Sequence, residues 1–128
     1  MASGETSDLV HIGAVAERTG LSLRTLRHYD EVALVQPSGR TEGGFRLYSA
    51  QDVDRLLLIR RMKPLGFTLE EMAALLTAVS KPGPASGPTD QDAVVVLLEE
   101  ARARRESLAA KLRMADEFIE LLAVRTTQ

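Results

Sequence analysis

The chain is expected to fold as a mostly helical (all-α class) protein carrying one small β-hairpin, and three features of its residues support this. Apolar residues recur at helical spacing in short segments between Ile12 and Val79. That periodicity vanishes from Gln36 to Tyr48, where Pro37, Gly39 and the pair Gly43-Gly44 suit a hairpin with a glycine turn. From Asp90 onward a run free of glycine and proline, rich in Ala, Leu, Glu and Arg, reads as one extended helix.

Taken in order, residues 1–9 are mostly small and polar without period and read as a disordered terminus. Ile12, Val15, Ala16 and Thr19 fall at i, i+3, i+4 and i+7, a short helix that Gly20 stops. Ser22 then caps a second short helix through Glu31, with Leu23 and Leu26 expected inward. Two short helices joined by a glycine-containing turn make a helix-turn-helix candidate. After the hairpin, Ser49-Ala50-Gln51-Asp52 is a capping-box pattern opening a helix with Val53, Leu56, Leu57 and Arg60, which Pro64 and Gly66 end. Thr68-Leu69-Glu70-Glu71 repeats the pattern ahead of an apolar stripe of Met72, Leu75, Leu76 and Val79. Lys81 to Pro88 holds three of the five prolines, so residues 80–89 are expected to be a linker between a domain at 10–79 and a helix at 90–125, with 126–128 as a tail.

Composition removes most alternatives. At 128 residues and 14.0 kDa the chain suits one domain with an appendage, and 45% hydrophobic with 27% charged residues is the balance of a chain with a packed core. Cysteine is absent, which excludes disulfides, thiolate nucleophiles and Cys-based metal or redox sensing. His11 and His28 are not at ligand spacing, so neither a metal nor a cofactor is expected. With no Gly-rich loop ending in Lys-Ser or Lys-Thr and no locally supported Ser-His pair, an enzyme reading has no footing. The longest apolar runs are far short of the ~20 residues of a membrane helix. No signal-peptide pattern follows Met1-Ala2-Ser3-Gly4-Glu5, so a cytoplasmic, nucleoid-associated location is expected.

Net charge is −2, but it is unevenly spread. Between Arg18 and Lys63 nine basic residues face five acidic ones, a local charge of +4. A polyanion responds to that local patch rather than to the chain average.

The last segment has its own logic. A helix from Asp90 to about Val124 is roughly 50 Å long at 1.5 Å per residue, longer than a monomer of this size can cover. Val94, Ala101, Leu108, Ala115 and Leu122 recur every seventh residue, with Leu98, Leu112 and Ile119 beside them on a row that Arg105 interrupts. Leu97 and Phe118 lie on the other flank, with Arg104 and Lys111 between them. These ten apolar residues are the expected seam of a homodimeric coiled coil; the alternative is a helix lying on its own domain.

The order and content of these segments resemble the MerR family of bacterial transcription regulators. The residues are Ile12-Gly13-Ala14-Val15-Ala16, Gly20-Leu21-Ser22-Leu23-Arg24-Thr25-Leu26-Arg27-His28-Tyr29-Asp30, Arg40 with Gly44-Phe45-Arg46-Leu47-Tyr48, and Leu65-Gly66-Phe67-Thr68-Leu69-Glu70-Glu71. The resemblance spans about residues 10–79 and implies a winged helix-turn-helix followed by a second helical pair. It also implies a long helix pairing antiparallel with that of a second subunit. On it, Ser22, Arg24, Thr25, Arg27 and His28 are candidate contacts of a recognition helix in the DNA major groove. Tyr29 either packs inward with Leu26 or offers its hydroxyl to a phosphate. Arg40 and Arg46 are expected to straddle the sugar-phosphate backbone as the wing, with Phe45 where the family more often has tyrosine. Tyr48 either closes the wing onto the body or meets a phosphate, and Lys63 offers a further phosphate contact, with Arg60 and Arg61 as weaker candidates. Ala33 stands where a glycine is common.

The implied partners are double-stranded DNA, a second copy of the chain, and RNA polymerase at a promoter. In such regulators the protein binds a pseudo-palindromic promoter spacer, then bends and undertwists it. The residues leave the signal open: a small molecule held by the helices, a partner protein, or none. They also leave open activator or simple repressor. The competing class is a dimeric interaction module that keeps the fold without binding DNA, against which stands the basic set on helix and wing together.

Overall fold

The computed structural model of the chain describes residues 8–80 and 88–127. The elements run β1 (Val10–His11), α1 (Ile12–Thr19), α2 (Leu23–Glu31), β2 (Gly39–Arg40), β3 (Arg46–Tyr48), α3 (Ala50–Met62), a 3-10 turn at Lys63–Leu65, α4 (Leu69–Ser80) and α5 (Pro88–Thr126). Two compact units result, one ending at Leu76 and the other beginning at Thr77. Residues 1–7 and 81–87, most of the expected disordered terminus and of the expected linker, lie outside the described residues.

In the first unit α1 buries Val15 and Thr19 and ends at Gly20, whose φ of +74° lets its N–H reach the Ala16 carbonyl at 2.9 Å. The Thr19 hydroxyl donates to the Val15 carbonyl at 2.8 Å and accepts from the Leu21 N–H at 3.2 Å. This buried hydroxyl is thereby satisfied and steers the chain into α2. There Leu26, Tyr29 and Asp30 face inward. Leu23, expected inward, is 40% exposed. As the first helical residue it leans toward the N-terminal end, past the edge of the packed face. The exit from α2 passes through Ala33 at φ +59°, with the Val32 N–H on the His28 carbonyl and the Leu34 N–H on the Tyr29 carbonyl.

The hairpin forms as expected, closed by Thr41 N–H to the Phe45 carbonyl and Gly44 N–H to the Thr41 carbonyl, each 2.9 Å. Gly44 holds φ +86°, a conformation a side chain would strain. The sheet has a third strand that the sequence reading lacked: its order is β1-β3-β2, both pairs antiparallel, with Val10 opposite Tyr48 and Arg40 opposite Arg46. Two residues are too few to show a period of two. Leu9, placed in the terminus, reaches 3.4 Å from where a Cβ on Gly39 would stand.

Helix α3 opens with the expected capping box, Asp52 N–H on Ser49 Oγ at 3.1 Å and Ser49 N–H on Asp52 Oδ2 at 2.9 Å. The same carboxylate accepts from Ser38 Oγ at 2.5 Å, fastening the segment ahead of the hairpin. Val53, Leu56, Ile59 and Met62 line its inner face, and α3 packs on α1 and β3. Leu56, Ile59, Leu26, Val15 and Tyr48 are at most 1% exposed and form the centre of the core. At α4 the Thr68–Glu71 box is also made, at 2.8 and 3.1 Å. Met72 and Leu76 are buried, but Val79, expected on the same stripe, is 50% exposed, and the buried residue of that last turn is Ala78.

In the second unit α5 is a single helix of 39 residues, close to 60 Å at ~1.5 Å per residue. Of the expected seam, Val94, Leu98, Leu108, Leu112, Phe118, Ile119 and Leu122 stand exposed, as does Ala115, while Leu97 and Ala101 are partly covered. Among the described residues no helix is long and apolar enough to cross a membrane.

Candidate nucleic-acid interface

Helix α2 separates two faces cleanly. Arg24, Arg27, His28 and Glu31 fall at i, i+3, i+4 and i+7, all exposed, opposite the buried Leu26, Tyr29 and Asp30. The same four line one open recess. Three match expectation; Glu31 was missed, although its spacing from Arg24 marks it as part of the face.

Ser22, exposed, is the helix cap expected of it, and Thr25 beside it is half-buried. Ser22 Oγ accepts from the Thr25 N–H at 3.0 Å and donates to Thr25 Oγ1 at 2.9 Å. Ser22 is therefore the N-cap that sets where α2 begins, its hydroxyl committed within the helix.

On the hairpin, Phe45 stands 69% exposed at the tip, its ring packed over the Gly43 backbone, where an added Cβ would come within 3.1 Å of Cε2. Arg40 and Arg46 are direct cross-strand partners, and two like charges so placed repel. The structure supplies the countercharge. Arg46 Nε donates to Asp30 Oδ2 at 2.7 Å and Arg40 Nη2 to the same oxygen at 2.9 Å, while Arg40 Nη1 reaches the Gly44 carbonyl at 3.4 Å. Both arginines thus also bond to α2, a contact the sequence reading lacked. Asp30 is only 8% exposed. Burial by itself pushes its carboxyl up, but the hydrogen bonds from Arg46 and Arg40, with their charges, outweigh that and hold it below the ordinary carboxylate value. The Arg46 guanidinium is raised in turn, foremost by its bond to Asp30.

For Tyr29 and Tyr48 the structure has the inward of the two alternatives. Tyr29 is 2% exposed and Tyr48 0%, and both hydroxyls are buried without a hydrogen-bond partner among the described residues. Each ring is packed inward, Tyr29 from α2 and Tyr48 from β3. Burial raises the Tyr48 hydroxyl pKa, with Arg46 partly opposing. Lys63 remains outward, its Nζ 5.9 Å from the centroid of the Tyr29 ring, so a buried aromatic holds an exposed cation in place. The Arg60 guanidinium lies over the turn at Gly20, 3.6 Å from where a Cβ there would be.

A capped short helix with a basic outward face, a preceding helix joined by a tight glycine turn, and a hairpin beside it define a winged helix-turn-helix. Family comparison agrees: residues 10–79 match the MerR HTH family regulatory protein model and residues 53–123 the model described as MerR, DNA binding. The chain belongs to the MerR family. Over 70 residues it is 46% identical to the mercuric resistance operon regulatory protein of Bacillus cereus, covering 55% of this chain and 53% of that one. The chain thus spans about half the length of that curated relative. It is also similar to MtaN, the N-terminus of the Bacillus subtilis multidrug transporter activator. That match has 31% identity and a TM-score of 0.56, over 93% of this chain and 99% of that one. A fold likeness at 24% identity and TM-score 0.68, covering 88% and 85% of the two chains, is to HiNmlR, a MerR family regulator lacking the sensor domain and bound to promoter DNA. These relatives are regulators of transcription, not enzymes.

Proposed function

We propose that this chain is a transcriptional regulator that binds a promoter as a homodimer, reading base edges with α2 and holding phosphates with the hairpin wing and Lys63. The observation that carries the reading is the single exposed face of Arg24, Arg27 and His28 on a helix whose other side is packed. Arginine in the major groove pairs with guanine O6 and N7, and a helix seated by its own core presents such groups in fixed register. Wing and Lys63 supply sequence-independent attraction, which falls steeply with salt.

The exposed apolar row of α5 is the seam for a second copy, whose helix runs antiparallel. Two wings then meet two half-sites of a pseudo-palindromic spacer. Bending and undertwisting that spacer governs whether RNA polymerase engages the promoter, so the protein acts through DNA shape. Lacking cysteine, the chain holds no effector through a thiolate.

Selection from a random duplex pool tests this. The expected product is an inverted repeat, with bending on binding read by phased electrophoresis. Recovery of no common sequence, with no measurable affinity for any duplex at low salt, refutes the reading.

A further inference from the structure

Asp30 lies on the buried side of α2, in no position to meet DNA, yet it accepts from both arginines of the wing through one oxygen. The two arginines are engaged differently. Arg46 uses Nε, at 2.7 Å, and is 24% exposed. A guanidinium held by Nε keeps its two terminal nitrogens, and the fork they form, for another acceptor. Arg40 uses both terminal nitrogens, Nη2 on Asp30 and Nη1 on the Gly44 carbonyl, bracing the hairpin turn from within.

Resting on the proposed function, we propose that Asp30 is a positioning residue that sorts the wing arginines into unequal roles. It aims the terminal fork of Arg46 at a DNA phosphate, while Arg40 is held back as a brace for the turn. Recognition helix and wing are thereby registered by one buried carboxylate, so a base-reading pose of α2 and a phosphate-holding pose of Arg46 arise together. Asp30 is itself an anion near the DNA. If its charge were all that mattered, removing it would tighten binding; a positioning role predicts that removing it loosens binding.

The test is the affinity of the full-length chain for a random-sequence duplex across a salt series, for wild type, Asp30→Asn, Arg40→Lys, Arg46→Lys, Arg46→Ala and the Asp30→Asn/Arg46→Ala pair. Arg46→Ala is expected to lower the slope of log affinity against log salt by about 0.9 per chain, one phosphate's worth. Asp30→Asn should weaken binding with a slope loss approaching that value, and the pair should lose no more than Arg46→Ala alone. Arg46→Lys keeps the charge but cannot bond Asp30 and fork onto phosphate together, so it should weaken binding while keeping most of the slope, whereas Arg40→Lys should leave affinity and slope near wild type. Because these lysine variants keep every charge in the wing, they decide the matter even if Asp30→Asn fails to fold. Tighter binding by Asp30→Asn, or wild-type affinity in Arg46→Lys, overturns the proposal while leaving DNA binding intact. No binding by the wild type overturns the functional reading and this one with it.

Discussion

Arg46 Nε and Asp30 Oδ2, sixteen positions apart in the chain, meet at 2.7 Å and join the hairpin to the buried side of α2. Asp30 therefore contributes to stability as an ion. Its carboxyl is held below the unfolded value of 3.8, so the contribution is complete above that pH and is lost as pH falls through the lower, folded value. Asp30→Ala should cost roughly 1–2 kcal/mol at neutral pH, a hydrogen bond to a charged group discounted because Arg40 is half exposed. Thermal melting of wild type and variant checks this. The gap should be constant above about pH 5 and close as pH falls below the unfolded value.

Ala33 carries a Cβ at φ +59°, in the left-handed region, where L-residues are disfavoured by roughly 1–2 kcal/mol. Glycine relieves that strain but adds freedom to the unfolded chain, worth ~0.4–1 kcal/mol the other way. Ala33→Gly is thus expected to stabilise by up to about 1 kcal/mol. Chemical denaturation reads this directly, and a lower midpoint at unchanged slope would show the turn to be unstrained.

Leu108 is 42% exposed near the middle of α5. In the proposed homodimer it faces a second helix, so Leu108→Glu places an unpaired charge in the seam at about 3–5 kcal/mol. Sedimentation should find a dimer for wild type and a monomer for the variant. A variant that remains dimeric would place the interface elsewhere.

Local chemistry was legible and distant chemistry was not. Ser22, the Ser49–Asp52 box and the Thr68–Glu71 box are three-residue relationships, and each forms the hydrogen bonds its spacing implies. The hairpin could be read from its glycines. Strand β1 could not, being two residues whose only reason to extend is β3, far along the chain. Leu23 and Val79 fit their helical stripes, yet both are exposed at the ends of their helices, with Ala78 buried in Val79's stead. At the interface, spacing placed Arg24, Arg27 and His28 outward, yet it could not decide Tyr29 or Tyr48, because an aromatic with a hydroxyl suits core and phosphate alike. Asp30 escaped notice because its partners are ten and sixteen residues away, on strands whose register had to exist first.

In the proposed function α2 reads bases and the wing holds the backbone, and comparing Arg24→Ala with Arg46→Ala separates the two roles. Anisotropy would be measured on the duplex selected by the wild type and on random duplex, over a salt series. Arg24→Ala should lose about 1–3 kcal/mol on the selected duplex and much less on random DNA, compressing the ratio between them. Arg46→Ala should weaken both alike and lower the salt slope by about 1.8 for a dimer, one phosphate at each wing. If both variants bind the selected duplex as tightly as wild type, the basic face is only solvated surface and the account is wrong.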